Sequence, residues 1–217
     1  MIEIGRPGPG RARTVLAVLL VLVSALPARA GAPSDQLRES VDQVIRILRD
    51  PALRVEARDG DLRAALRAEA ERIIDFDETA RRALGRHWQR LGEEQRRDFV
   101  LAFAGLLERA YLSRIEQYSG ERVTVLGESI DGDQATVRTR FVTKRGVEIP
   151  ADYRMRRRDD RWMVYDVVVE GVSLVGNYRT QFNRIMDTGS YEELIRRMKG
   201  VGGAIPAPGA PAGSPRS

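Results

Sequence analysis

The chain has 217 residues, among them 36 Lys and Arg, 31 Asp and Glu, one His and no Cys. The absence of Cys excludes disulfide bonds, and a zinc site built from one His and carboxylates alone would be unusual. Four basic residues and one acidic residue lie among the first thirty, which leaves 32 basic and 30 acidic residues, a net charge of +2, in the remainder. A balance this close to neutral does not indicate nucleic-acid binding.

The first thirty residues have the organisation of a secretory signal peptide. Three arginines precede the apolar run Thr14–Leu26, and Ala28-Arg29-Ala30 is a cleavage motif. A membrane anchor is the alternative, but the apolar run is shorter than the ~20 residues that span a bilayer. No Cys follows the run, which excludes a lipoprotein anchor. We therefore expect export across the inner membrane and cleavage after Ala30.

The C-terminal end has a different composition from the rest of the chain. Residues 200–217 are rich in Gly, Pro and Ala, which is typical of a disordered segment. The expected organisation is a signal peptide at 1–30, one domain with a substantial core at 31–199, and a disordered tail at 200–217.

Apolar residues recur at helical spacing in the first half of the domain and again at its end. In the first segment Leu37, Val41 and Val44 fall on one face. Asp77 is a candidate N-cap for a short helix that ends near Gly85. The predicted helices are Ser34–Leu48, Asp61–Ile74, Asp77–Leu84, Glu93–Tyr118, Val172–Met186 and Tyr191–Met198.

Between the fourth and fifth predicted helices the apolar period changes to two, which predicts strands. Short turn sequences such as Asp131-Gly132-Asp133 separate these strands and favour hairpins, so the sheet should be a four-stranded antiparallel meander. The predicted strands are Arg122–Glu128, Gln134–Arg145, Val147–Arg157 and Arg161–Glu170.

Each of the last three predicted strands has one apolar face, and Arg and Asp residues occupy the opposite faces. The apolar sets are Ala135, Val137, Thr139 and Phe141; Ile149, Ala151, Tyr153 and Met155; and Met163, Tyr165, Val167 and Val169. An apolar sheet face needs a cover, which the helices supply. The pattern predicts an α+β fold, with helices packed on one face of a curved antiparallel sheet.

Candidate catalytic groups are few. His87 lies beside Trp88 at a predicted helix end, and we interpret it as a packing residue. Asp75 and Asp77 resemble a carboxylate pair, but residues two apart on a helix do not face each other, and one of them suits a cap. The run Arg154–Arg158 is interpreted as a solvated sheet edge, with a partner or headgroup surface as the alternative.

A series of short motifs extends across Pro33–Met198. The motifs are Phe76-Asp77 followed by Ala80-Arg81-Arg82-Ala83-Leu84-Gly85-Arg86-His87-Trp88; Glu94-Gln95-Arg96 followed by Phe99 and Phe103; Tyr118-Ser119-Gly120-Glu121; Trp162 and Val164-Tyr165-Asp166-Val167; Glu170-Gly171-Val172-Ser173-Leu174; and Asn177-Tyr178-Arg179 followed by Phe182. No single motif is a chemical signature. Their order and spacing resemble the MlaC family, also called the toluene-tolerance auxiliary family.

Members of that family are periplasmic phospholipid-binding carriers that serve an ABC transporter. The resemblance implies a cystatin-like or nuclear-transport-factor-like fold around an apolar pocket, with acyl chains inside and the headgroup at the mouth. It implies no catalysis and no cofactor, and a phospholipid or hopanoid-type lipid as cargo. The implied partners are an inner-membrane ABC transporter complex and an outer-membrane lipid-handling protein, and the carrier is expected to be a monomer in the periplasm.

Strand and helix phase select the residues expected to line such a pocket. The expected sheet residues are Val137, Phe141, Ile149, Tyr153, Met155, Tyr165 and Val167, and the expected helix residues are Phe103, Leu107 and Tyr111. A register shift of one residue would move a strand's whole set to the other face.

Two alternatives to the carrier remain open from the sequence. The first is an interaction module of the same fold with a filled core and no ligand, because the apolar pattern does not distinguish a filled core from a cavity. The second is a hydrolase that uses His87.

Overall fold

The computed structural model describes residues 32–53, 59–116, 120–201 and 205–206. The predicted signal peptide and most of the predicted tail lie outside the described residues, as does the end of the fourth predicted helix, at residues 117–118. Within the described ranges the predicted helices and strands are present, with bounds that differ by a few residues. The α-helices are α1 Pro33–Arg49, α2 Asp59–Ile73, α3 Phe76–Leu84, α4 Glu93–Glu116, α5 Leu174–Thr188 and α6 Tyr191–Met198, and a 3₁₀-helix occupies Gly85–Arg90.

The strands form one antiparallel sheet whose spatial order follows the chain order, which confirms the meander. The strands are β1 Arg122–Asp131, β2 Gln134–Val142, β3 Glu148–Arg158, β4 Arg161–Val169 and β5 Val172–Ser173. The sequence prediction placed β5 in the following helix. That helix begins at Leu174 instead, because the Ser173 hydroxyl caps it by accepting the Gly176 N–H at 2.8 Å.

The predicted apolar faces of β2 and β3 are confirmed by the strand register. Ala135 lies opposite Met155, and Phe141 lies opposite Ile149. Because side chains at directly opposite positions share a face, the apolar sets of the two strands form one continuous surface. We call this surface the inner face of the sheet.

A bulge at Tyr165 changes the phase of β4. Val167 lies opposite Tyr153, and Val164 lies opposite Met155, so Tyr165 is an extra residue between two paired positions. After the bulge the odd-numbered residues of β4 lie on the inner face, and before it the even-numbered residues do.

Two sequence predictions are wrong because of this bulge. Tyr165 and Met163 were expected on the inner face, but Trp162 and Val164 take that place and pack in its apolar cluster. The Tyr165 ring lies 3.9 Å from the Arg82 guanidinium of α3, away from this cluster. The prediction assumed that every second residue of β4 lies on the inner face. An inserted residue breaks that alternation, so the predicted face was wrong for the part of β4 before the bulge.

The outer edge of β4 is covered at both ends. β5 pairs with its C-terminal end, and Ile74, which follows α2, forms a parallel bridge with Val164. The Asp75 N–H also donates to the Val164 carbonyl at 2.8 Å. The link between α2 and α3 therefore protects a strand edge that would otherwise expose its backbone groups.

Helices α3 to α6 pack around a core of aromatic rings. Phe103 meets Tyr178 and Phe182 edge to face, with centroid distances of 5.2 Å to each, and Phe99 meets Phe182 at 5.7 Å. Ile205 is buried in the same cluster. Packing therefore continues beyond residue 199, where the sequence analysis placed the domain boundary.

α3 is capped two residues earlier than predicted. The Asp75 carboxylate accepts the Glu78 N–H at 3.0 Å, and Asp77 lies in the first turn. Asp75 is in reach of this N–H because its own backbone is fixed to β4, a long-range contact that the local sequence does not contain.

The carboxylate of Glu78 joins α3 to β3. Its side chain is only 3% exposed and accepts hydrogen bonds from Arg81 at 2.7 Å, Arg82 at 2.6 Å and Arg156 at 3.0 Å. Burial alone would raise the pKa of Glu78, but the hydrogen bonds from Arg81 and Arg82 outweigh it and lower the pKa to about 2, against an ordinary 4.5. Because the folded-state pKa lies below the unfolded one, this charge stabilises the fold fully above pH 4.5. That contribution is lost as the pH falls towards 2.

We expect Glu78→Gln to lower the free energy of unfolding by about 2 kcal/mol at neutral pH, since it removes a buried charge and leaves arginines without their partner. The deficit should shrink as the pH falls from about 4.5 to about 2, because wild-type Glu78 then becomes protonated. Urea denaturation followed by circular dichroism at several pH values measures this difference in the free energy of unfolding. The exposed Glu94→Gln is the control and should change little, while a deficit for Glu78→Gln that stays constant down to pH 2 would contradict the assignment.

Candidate functional site

Buried apolar side chains among the described residues form three separate clusters. One is the aromatic core of α3 to α6, a second includes Leu37, Val137 and Met155 between α1 and the sheet, and a third includes Ile47 and Leu66 between α1 and α2. A single domain usually has one contiguous core. The apolar residues at the borders of the three clusters are therefore the candidate site.

These border residues include five from α4 and from the centre of the sheet. On α4, Leu107 and Tyr111 pack against the aromatic core, and Leu112 packs against the third cluster. On the sheet, Tyr153 and Val167 pack at the border of the second cluster. All five side chains are only partly buried. They are apolar or aromatic, and the neighbouring clusters leave each of them incompletely covered.

The inner face of the sheet is covered unevenly along its length. At one end Ala135 and Met155 are fully buried, packed in the cluster that contains Leu37 of α1. At the other end Phe141 and Ile149 lie opposite each other and are only partly buried. The sheet thus has a closed end beneath α1 and an open end at the β2–β3 turn.

Exposed apolar side chains continue beyond the open end. Val147 lies in the β2–β3 turn, and Val169 and Val172 flank the turn between β4 and β5; all three are exposed. Val169 pairs with Ala151, two residues from Ile149, which places both turns at the same end of the sheet. Partly covered apolar side chains therefore occur both at the centre of the inner face and at this rim, with the small side chains of Thr139 and Ala151 buried between them.

Tyr153, at the centre of the inner face, has its phenol in surroundings of low polarity. Burial raises the pKa of its phenol to about 12. Its side chain is nevertheless not completely covered by protein atoms. Low polarity and incomplete packing thus occur at the same side chain, in the middle of the inner face.

The ten residues expected from the sequence fall into three groups. Six share the inner face of the sheet, namely Val137, Phe141, Ile149, Tyr153, Met155 and Val167. Three lie on α4, where Phe103 is fully buried in the aromatic core and Leu107 and Tyr111 are at its border. Tyr165 lies away from the others because of the bulge.

Several border residues are not among the ten expected from the sequence. Two of them, Val44 of α1 and Leu112 of α4, pack at the border of the third cluster. Val44 belongs to the apolar stripe of the first predicted helix. Helical phase therefore contained a signal for Val44, but it did not indicate which helix would face the sheet.

The residues considered for catalysis have structural surroundings. His87 is buried, and its Nε2 atom lies 3.3 Å from Nε of Arg86 and 3.5 Å from Oδ1 of Asp187, so these contacts include no nucleophile. Asp75 is the cap of α3. Within the described ranges, no group of three or more His, Asp or Glu side chains is placed to hold a metal ion.

Comparison with solved structures shows which class of fold this is. A phospholipid-binding protein from Ralstonia solanacearum, solved in complex with a phospholipid, matches with a TM-score of 0.64. The two chains are 24% identical, and the match covers 77% of this chain and 95% of the other. The chain therefore has the α+β fold of that structure, in which helices pack against an antiparallel sheet.

Sequence comparison identifies the family. The MlaC protein family model matches residues 38–200. The intermembrane phospholipid transport system binding protein MlaC of Haemophilus influenzae is 21% identical over 193 residues, 86% of this chain and 90% of the relative. The toluene tolerance protein ttg2D of Pseudomonas putida is 22% identical over 192 residues, 86% of this chain and 89% of the relative. The chain belongs to the MlaC family, which confirms the resemblance found in the sequence.

We expect the phenol of Tyr153 to titrate with a midpoint of about 12, against 10.0 for an ordinary Tyr, because burial disfavours the phenolate. Selective labelling of the Tyr ring carbon bonded to oxygen, with Tyr153→Phe to assign the resonance, measures the titration by NMR. At about pH 11 Tyr153 should still be protonated. A midpoint close to 10 would show that the centre of the inner face is in contact with bulk water.

Proposed function

We propose that this protein carries phospholipid through the periplasm and shelters the acyl chains between the three apolar clusters. The observation that carries the proposal is the set of partly covered apolar side chains on α4 and on the centre of the inner face. Membership of the MlaC family, together with this chain's similarity to an intermembrane phospholipid transport protein, supports the class of ligand.

The energetics of hydrocarbon in water explain why such a carrier needs a pocket. Each methylene moved into water costs about 0.8 kcal/mol, so two chains of ~16 carbons cost on the order of 20 kcal/mol. An apolar interior removes most of this cost and makes exchange with a bilayer nearly balanced. The carrier then performs no chemical step, and the direction of transport has to come from its partners.

The partial burial of several inner-face and α4 side chains supports the proposed lining. The sheet contributes the partly covered Phe141, Ile149, Tyr153 and Val167, and α4 contributes Leu107 and Tyr111. The fully buried Val137, Met155 and Phe103 lie behind them. The headgroup would lie at the open end of the inner face, where the partly buried Phe141 and Ile149 are followed by an exposed rim. Tyr165 is not part of this lining.

The proposed location and partners are those of the family. The signal-peptide pattern of the first thirty residues supports export and cleavage after Ala30. No helix among the described residues has the length and apolar character needed to cross a membrane. We place the carrier between an inner-membrane ABC transporter complex and an outer-membrane lipid-handling protein, and the relatives' names support the first of these contexts.

Lipid extraction of the purified protein followed by mass spectrometry separates the carrier from an interaction module with a filled core. The carrier should yield phospholipid, or a hopanoid-type lipid, in a stoichiometric amount. Protein that is lipid-free in repeated preparations and also refuses labelled phospholipid would identify it as an interaction module.

Val167→Trp is expected to reduce bound phospholipid about tenfold, because the larger ring would occupy the space beside Tyr153. Leu101→Trp is the control, since Leu101 is 73% exposed on α4 and its replacement fills no interior space. Lipid stoichiometry by mass spectrometry and thermal unfolding of both variants are the measurements. A folded Val167→Trp protein that retains the wild-type amount of lipid would contradict the proposed lining.

A further inference from the structure

A concave feature lies outside the proposed cargo region. It is a groove of about 300 Å³ between α3, the 3₁₀-helix and α5. The groove is lined by Arg81, Arg82, Gly85, Trp88, Gln89 and Arg179. Three guanidinium groups and an indole thus line one surface groove, outside the proposed cargo pocket.

The positive charge of this surface is held in place by carboxylates buried beneath it. Glu78 is 3% exposed and pairs with Arg81 and Arg82, whereas the Arg81 side chain is 50% exposed. Asp75 is 2% exposed and pairs with Arg156 at 3.4 Å and Arg158 at 3.6 Å. The acidic groups orient the guanidinium groups from below, and an approaching partner meets mainly positive charge.

Two further contacts fix the wall of the groove. The Arg82 guanidinium stacks on the Tyr165 ring, and Nε of Arg179 donates to the Arg82 carbonyl at 2.7 Å. Gly85 has a φ of +57°, and a Cβ there would meet the Arg179 side chain at 3.5 Å. The groove is therefore formed before any ligand arrives, which lowers the entropy cost of binding.

The groove continues into the arginine run of β3, which the sequence analysis singled out. Glu78 lies between Arg82 on the groove side and Arg156 on the strand side. The continuous surface contains five arginines, namely Arg81, Arg82, Arg156, Arg158 and Arg179, and three carboxylates, namely Asp75, Asp77 and Glu78. The net charge of this group is +2, and Asp77, at 72% exposure, is its one exposed acid.

We propose that this surface docks an acidic segment of a partner protein, whose carboxylates enter the groove and follow the arginine run. Arginine forms paired hydrogen bonds to carboxylates, and Arg, Trp and Tyr are the residue types most enriched at the energetic centres of protein interfaces. Several guanidinium groups spread over a concave surface fit several carboxylates on one chain better than a single ion.

Docking at this surface leaves the cargo region free. On β3, Arg154, Arg156 and Arg158 alternate with Tyr153, Met155 and Arg157, so these three arginines lie on the side of the sheet opposite the inner face. A partner could therefore hold the protein while its acyl chains remain in place. The proposal does not depend on the identity of the cargo.

The probe for this surface is a hexaglutamate peptide. The indole N–H resonance of Trp88, assigned with Trp88→Phe, should shift on titration, and that of Trp162, buried against the sheet, should not. Raising the salt from about 50 mM to about 500 mM should weaken binding strongly, since the contacts are charged and exposed. Arg179→Glu should weaken binding about tenfold, whereas Arg184→Glu, the same charge change on the exposed side of α5, should leave it within about twofold.

Each other outcome overturns the proposal. The absence of any Trp88 shift would show that the groove does not bind carboxylates. If Arg179→Glu and Arg184→Glu lost equal amounts of affinity for the peptide, binding would depend on the net charge of the protein and not on the groove. Inorganic phosphate that binds as tightly as the peptide would make this a simple anion site. Binding that depends on Arg179 to vesicles of phosphatidylglycerol and phosphatidylcholine, without binding of the peptide, would make it a membrane surface.

Discussion

The apolar inner face of the sheet is the constraint on which the rest of the structure depends. A meander with this pattern has to be shielded from water on one side, and α1 covers the end that contains Met155. The helical layer then builds its own core around Phe103 and Phe182 instead of filling the remaining half of the sheet. Tyr153 and Val167, in the middle of the inner face, are left only partly covered between these two clusters, and they connect the fold to the proposed cargo.

The two faces of the sheet have different chemistry for a reason that lies in β3. Tyr153 and Met155 point to the apolar side, and the arginines that alternate with them point to the other. On that second side the arginines pair with carboxylates of α3, and these ion pairs attach the helical layer to the sheet. One strand thus supplies the proposed lipid contacts and the charged surface that we propose for docking.

Much of the fold could be predicted from local patterns, and the failures have identifiable causes. Period-two alternation gave the correct faces of β2 and β3, because both strands pair with each other without interruption. It failed at Tyr165, where one inserted residue in β4 reversed the parity of the segment before it. A bulge depends on contacts between strands, and the sequence of one strand does not reveal it.

For the α3 cap and the candidate site too, local sequence patterns predicted part of the structure, and contacts between distant segments decided the rest. Both Asp75 and Asp77 suit an N-cap by residue type, and only the backbone bond from Asp75 to β4 decides between them. Six expected lining residues share the inner face because they follow from strand phase. The pairing of Glu78 with Arg156, and the border position of Leu112, arise from packing between distant segments.

Contacts between bound acyl chains and named side chains test the central claim most directly. Phospholipid labelled with ¹³C in its acyl chains can be loaded into the protein, and intermolecular nuclear Overhauser effects to the side chains can then be measured. The account predicts effects from chain methylenes to Tyr153, Val167 and Leu107, with the headgroup closest to Phe141 and Ile149. Acyl-chain effects confined to exposed side chains such as Leu101, with none to Tyr153, would contradict it.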